Sequence, residues 1–296
     1  MAGGFVFLFR TQCKCDTIKC MILILTSIFF VFGLIIGSFL NVVILRLNTQ
    51  RSFGGRSGCM SCQNKLSWYE LIPVFSFLGL GGRCRNCKTK ISFQYPIVEF
   101  ITGLIFALLF LKFQDVFFSD TLLFSFNYAY YTVIFSLLVV IAVYDLKHKI
   151  IPDILSFIFG ILAFAGLFFL DSSGLPAQAG SLGFSLHIPT LLEFFSGPII
   201  ALPFSFVWLV SSGKWMGLGD AKLAIGLGYL LGLPLALSGV VFAFWIGSVV
   251  GILLVVFSHL GRAKLAKKYR MKSEIPFAPY LVLGAILVFF FGLYLF

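Results

Sequence analysis

Two aspartates stand in sequence that otherwise has little use for charge. Asp145 ends the apolar run of "IAVYDLKHKIIPD" (141–153), and Asp220 stands behind Gly217 and Gly219 in "WMGLGDAKLAIGLGYLLG" (215–232). A carboxylate in lipid costs roughly 2.5 to 3.5 kcal/mol on insertion scales, so the default reading is functional, with a partner to find. Each aspartate is the other's partner if both lie at one membrane depth. Two carboxylates held together share a proton, because close like charges resist ionising both. One then acts as base on a water while the other polarises a scissile carbonyl. That is aspartyl-protease chemistry, needing neither metal nor nucleophilic side chain. Gly217 and Gly219 would let the backbone come close to a substrate strand and take conformations other residues avoid. Structural readings stand beside this one. Asp220 also reads as a helix N-cap, and Asp153, after Pro152, reads best as a first-turn helix acid. Asp145 lies at the C-terminal end of its helix, where the dipole disfavours an anion, so structure alone accounts for it less well.

A second constellation is Cys59-x-x-Cys62 with Cys84-x-x-Cys87, in "GRSGCMSCQNKLSWYELIPVFSFLGLGGRCRNCKTKIS". Two such pairs can close one tetrahedral four-thiolate zinc site, each pair forming a knuckle. Lys65, Arg83, Arg85 and Lys88 favour the thiolate forms. Four thiolates leave no open coordination position, so the metal's role is structural. Disulfides and a redox pair are the rival readings; a cytoplasmic loop argues against disulfides. Cys13, Cys15 and Cys20 have no clear partner.

The elements that position these groups must be membrane helices. Of the 296 residues 60% are apolar, 18% aromatic and 11% charged, against roughly 25% charged in soluble domains. Spans are expected at 22–45, 96–113, 121–144, 153–170, 190–211, 220–236, 237–258 and 278–296. The fold class is therefore an all-α polytopic membrane protein of about eight helices, with the cysteine loop between the first two. Between the fourth and fifth spans "DSSGLPAQAGSLG" (171–183) reads as a turn-rich loop. Most of the 22 basic residues fall on one side of this arrangement, in four groups: Arg46 to Lys90; Lys147 and Lys149; Lys214 and Lys222; and Arg262 to Lys272. The net charge of +11 thus reads as membrane topology rather than nucleic-acid binding, with the basic side and both aspartates cytoplasmic. Residues 1–20 break the pattern by placing Arg10, Lys14 and Lys19 outside. With Met21 standing directly before the first span, they read as an extension outside the working fold. A signal peptide fits them less well.

"GLIIGSFLNVVILRL" (33–47), the four-cysteine loop with "LIPVFSFL" and "GRCRNC", and "YPIVEF" (95–100) resemble the bacterial type IV prepilin peptidases. So do "DLKHKIIPD" (145–153), "GLGDAKL" (217–223) and "IPFAPYL" (275–281). The resemblance runs in the family's order from about residue 30 to residue 290, within the GxGD class of intramembrane aspartyl proteases. It implies catalytic roles for Asp145 and Asp220 and a zinc site at Cys59, Cys62, Cys84 and Cys87. It also implies a substrate, a type IV prepilin or type II secretion pseudopilin, cut after a glycine ahead of its apolar helix. Many members then methylate the new N-terminus using S-adenosylmethionine, an activity associated with the long cysteine loop. The implied division is 21–112 for that methylation-associated part and 113–296 for the peptidase. Met60 departs from a frequent proline, and "NTQRSFG" replaces a histidine-rich stretch.

Gly37, Asn41 and Glu99 are further candidates for polar work at the membrane surface, with helix packing, capping or ion pairing as their other readings. Two other functions remain to be weighed against the peptidase. A non-enzymatic scaffold of the pilus or secretion machinery would use the cysteine loop to bind a partner. A proton-coupled transporter would use Asp145 and Asp220 as a relay, and predicts inverted repeats that the sequence does not display. The bacterial inner membrane is the expected location, with the active site at its cytoplasmic face.

Overall fold

The computed structural model describes residues 3–49, 54–55, 57–59, 61–169, 188–259 and 276–295, with side chains of helices described from Ile18 and not at 257–259. The basic run 262–272, the loop 171–183, Arg51, Arg56, Met60 and Glu274 lie outside the described residues, as do the side chains of Arg10, Cys13, Lys14 and Cys15.

Among the described residues the chain is helical, with only two isolated β-bridges. It forms two compact units, Met1–Thr132 and Val133–Phe296. The first holds α1 (Gly3–Arg46), a 3₁₀ turn (Trp68–Leu71), the short α2 (Phe75–Gly79) and α3 (Gln94–Ser119), and α4 (Thr121–His148) begins in it. The second continues through α5 (Asp153–Phe169), α6 (Leu191–Ser211), α7 (Leu218–Leu231), α8 (Leu233–His259) and α9 (Ala278–Phe291).

All eight expected hydrophobic helices are present, but α1 begins at Gly3 rather than 22, continuous with the expected extension, and α3 runs on to Ser119 rather than 113. Two further boundaries shift for reasons visible in the backbone. The expected join at 236–237 lies instead at Gly232, whose φ of 72° ends α7; α8 opens at once with Pro234 in its first turn. Glycine takes that left-handed backbone without a Cβ clash, and proline is tolerated where no helical N–H bond is needed. The last helix ends at Phe291 rather than 296, because Gly292 (φ 58°) caps it. Among the described residues, five helical segments are long and apolar enough to cross a membrane: Ile18–Arg46, Gln94–Ser119, Thr121–His148, Leu191–Ser211 and Leu233–Val256. α5 and α9 are apolar but shorter, at 17 and 14 residues, and α7 also has 14.

Lipid tails are as apolar as leucine, so helix pairing rests on close packing and small residues. In the first unit α1 packs along α3 with Gly33 against Gly103: a Cβ on Gly33 would lie 2.8 Å from the Gly103 Cα. Above that contact Phe29 stacks on Phe110 at 4.8 Å and meets Tyr128 at 4.7 Å. In the second unit α7 is central, touching α5, α6, α8 and α9. Its glycines make this possible. A Cβ on Gly228 would lie 2.6 Å from the Gly197 Cα of α6, and one on Gly226 would strike the Phe159 ring of α5 at 2.3 Å. Ser196 Oγ donates across the same α6–α7 contact to the Gly228 carbonyl at 2.9 Å. α8 and α9 meet at Gly239 and Gly284.

Candidate active site and metal site

Asp145 lies in the last turn of α4, Asp220 in the first turn of α7, and both are in the second unit. Both are buried, with 4% and 8% of their surface exposed, and Asp220 lies within the electrostatic reach of Asp145. Gly217 is the N-cap of α7 and Asp220 is the third helical residue, so Asp220 is not the cap itself. Its carboxylate faces the positive end of the α7 dipole. Asp145 gains a comparable partner from another helix. The backbone N–H of Ala278, first residue of α9, donates to Asp145 Oδ2 at 3.3 Å. The unfavourable end of α4 is thereby offset by the favourable end of α9. Phe277 seats this end of α9 among Phe244 and Phe204, at ring distances of 4.9 and 6.1 Å. Ala278 was missed by sequence reasoning; the signal available was Pro279 in the first turn of an apolar run.

The two glycines differ in what surrounds them. Gly217 has φ −74° and ψ 148°, backbone that any residue adopts. A Cβ there would meet nothing nearer than 3.9 Å, and Asp220 Oδ2 is among its closest atoms at 4.0 Å. Gly219 is pressed instead against Ile151 of the α4–α5 connection, where a Cβ would lie 2.9 Å from the Ile151 Cβ. The absent side chain lets the start of α7 sit against "KIIPD", the segment that follows Asp145. Asp153 opens α5 outside this pair, largely exposed, and its Oδ1 accepts from Lys222 Nζ at 2.6 Å.

The four loop cysteines come together in the first unit, with all ligand sulfurs within 4.8 Å of one another and Cys59 Sγ 3.7 Å from Cys87 Sγ. Four sulfurs about 2.3 Å from a tetrahedral zinc stand about 3.8 Å apart, so the cluster fits the ion. Two matching turns build it. Cys59 N–H donates to the Asn64 carbonyl and Gln63 N–H to that of Cys59. Cys84 N–H donates to Thr89, and Lys88 N–H to Cys84, in the same pattern. Gln63 and Lys88 both take positive φ, 55° and 56°, and each turn is closed by an isolated bridge, Gly58–Lys65 or Arg83–Lys90. Hydrogen bonds from the Thr89 side chain and backbone bring the Cys87 thiol down to about 6, and backbone bonds from Cys62 and Ser61 lower Cys59. Both therefore favour the thiolate a metal needs. At Cys62 a backbone bond from Asn64 is outweighed by burial and the other three thiols, which push it up to about 11.

Gly37, Asn41 and Glu99 all lie at the α1–α3 contact. A Cβ on Gly37 would stand 2.7 Å from the Glu99 Cα, and Asn41 Nδ2 donates to the Tyr95 carbonyl at 3.1 Å. Glu99 Oε2 accepts the Val74 N–H at 2.8 Å. Asn41 Oδ1 and, on α4, Asn127 Nδ2 are buried without a hydrogen-bond partner.

Residues 31–113 match the Bacterial Peptidase A24 N-terminal domain and residues 132–256 match the Type IV leader peptidase family. A Bacillus subtilis protein named "Prepilin leader peptidase/N-methyltransferase" is 32% identical over 90% of this chain and 94% of its own length. Proteins of the same name from Vibrio cholerae and Myxococcus xanthus are 30% and 36% identical, over 89% and 79% of this chain. The match covers 95% of the Vibrio protein but 64% of the Myxococcus one, less than two thirds of its length. No solved structure matches at a significant level. With its helices, its buried aspartate pair and these relatives in agreement, the chain is a multi-pass membrane protein that belongs to the type IV leader peptidase family.

Proposed function

We propose that this protein cleaves the basic leader of a type IV prepilin or type II pseudopilin after a glycine, with Asp145 and Asp220 as the catalytic pair. The observation that carries the reading is the burial of both carboxylates together, each beside a helix N-terminus, in the part of the chain that matches the peptidase family. One carboxylate takes a proton from water as it attacks the scissile carbonyl. The other, protonated, donates to the carbonyl oxygen, and the proton then passes to the leaving amine. Gly217, with open space beside Asp220, suits a backbone contact with the substrate strand, and Gly219 holds that end of α7 in place. The active site opens on the cytoplasmic face of the bacterial inner membrane, where the leader resides.

The same protein then methylates the new N-terminal amine, with S-adenosylmethionine supplying the methyl group. Asn41 Oδ1, buried in the first unit without a hydrogen-bond partner, is compatible with a bound polar group beside it. Zinc on Cys59, Cys62, Cys84 and Cys87 orders the loop that accompanies this activity. A scaffold would leave the aspartate pair without a role, and the peptidase reading uses it. Co-expression with a prepilin, followed by mass spectrometry of the product's N-terminus, tests both steps. The expected product begins after the glycine and carries one added methyl group. An intact leader overturns the peptidase assignment, and a cleaved, unmodified terminus overturns the second activity alone.

A further inference from the structure

α3 runs for 26 residues, from Gln94 to Ser119. That is about 39 Å of helix against a hydrocarbon core of about 30 Å, so its first residues reach the headgroup region. Glu99 lies in the second turn of α3. Five residues of helical rise put it about 7.5 Å below the helix start, near the boundary between headgroups and acyl chains. Its carboxylate holds the Val74 N–H at 2.8 Å, so the middle of the loop is pinned at that depth.

Val74 is the point of a tight reversal. Its φ is 60° and its ψ −51°. Such angles are strained for a β-branched residue. Phe75 N–H donates to the Pro73 carbonyl at 2.6 Å, closing a γ-turn around it. A backbone N–H withdrawn from water needs an acceptor, and at this depth irregular backbone survives only when protein supplies one. Glu99 is that acceptor. Glu99, one of the candidates for polar work at the membrane surface, therefore has a structural task.

Side chains around the reversal point away from the protein. Trp68 is 78% exposed, Phe75 and Leu78 are each 68% exposed, and Leu71 and Ile72 are also open. A buried Leu or Phe side chain is worth about 1.5 to 3 kcal/mol, so leaving this group in water would be costly. Exposed cations flank it in the sequence at Lys65, Arg83, Arg85, Lys88 and Lys90, and Arg85 donates a hydrogen bond to the Tyr69 hydroxyl. Aromatic and aliphatic side chains flanked by cations suit an anionic lipid surface.

We propose that residues 68–80 form a wedge inserted into the leaflet on the side of the four-cysteine loop, pinned by Glu99 and flanked by cations that meet anionic headgroups. The depth of the Val74–Glu99 contact favours lipid over a soluble protein partner as the occupant.

The test uses the full-length protein in lipid bilayers, with all four tryptophans changed to phenylalanine and Phe75→Trp as reporter. Its emission is expected to be blue-shifted, to be largely lost in bilayers of lipids brominated in the upper acyl chain, and to resist aqueous acrylamide. Adding Lys65→Gln and Lys90→Gln should reduce lipid quenching more in anionic than in neutral bilayers. Emission typical of water, quenched by acrylamide and unaffected by brominated lipid, overturns the proposal; a surface kept for a soluble partner would give that result. Metal content reports on folding of the loop. If the reporter variant loses its metal, Trp68 left as the single tryptophan reads the same surface, with the same two outcomes.

Discussion

Asp145 and Asp220 are both acids, yet they depend on different neighbours. Asp220 draws on its own helix, whereas Asp145 relies on the N–H of Ala278, far along the chain. If the two act as one proton-sharing unit, Asp145→Asn and Asp220→Asn should each lower leader cleavage by at least about a hundredfold, and the double variant should be little worse. Asp153→Asn should retain most activity, because an exposed ion pair is worth about 0 to 1 kcal/mol. A leader-cleavage assay on the four variants checks this, and near-parental cleavage by either catalytic variant would end the assignment. The cysteines give a second expectation. Cys87 falls from an ordinary 9.0 to about 6, so in metal-stripped protein its thiolate persists as pH drops from 9 to 7 and is lost on passing through about 6. Alkylation of Cys87, followed by mass spectrometry, should keep its rate at pH 7 where an ordinary thiol's has fallen. Both aspartates and all four cysteines were legible in the sequence, because isolated charge in apolar sequence and paired cysteines are strong local signals. Ala278 was not, since a backbone N–H has no residue type to betray it. Glu99 was visible as a candidate, but its partner Val74 is apolar and gave no sign of a backbone donor.

At the scale of helices, close backbone contact is the recurring device. A Cβ on Gly284 would lie 2.2 Å from the Gly239 carbonyl oxygen. Gly284→Ala should therefore force α8 and α9 apart at a cost of about 1 to 3 kcal/mol. Gly160 on α5 has open space around it, and Gly160→Ala should be neutral or slightly stabilising. Thermal unfolding in detergent should separate the two; equal midpoints would show that the α8–α9 contact yields without cost. The long helices could be read directly from hydropathy, because an apolar run of that length has few other solutions in a membrane protein. The join between α7 and α8 lies earlier than the expected 236–237, at the short turn that Gly232 and Pro234 mark in the sequence, where the positive φ of Gly232 ends the helix. The 3₁₀ turn and α2 escaped for another reason. They are too short to show a period, and tertiary contacts such as Val74 with Glu99 hold them.

For the whole molecule, one bound metal should accompany each folded chain. Metal analysis should find one zinc in the parent and none in Cys84→Ser/Cys87→Ser; stoichiometric metal in that double variant would remove the site. The short helices of the second unit have a different bearing, on the bilayer itself. α7 and α9 have 14 residues each. Helices of that length reach about 21 Å, roughly 9 Å short of a typical hydrocarbon core. Such a shortfall is hydrophobic mismatch, relieved when the surrounding lipid thins or water enters at the helix ends. Asp220 stands at one end of α7 and the Ala278 donor at one end of α9, so mismatch favours the water that hydrolysis consumes. Membrane thickness thus becomes a determinant of turnover: cleavage should quicken in short-chain lipid bilayers and slow in long-chain ones, at unchanged protein and substrate.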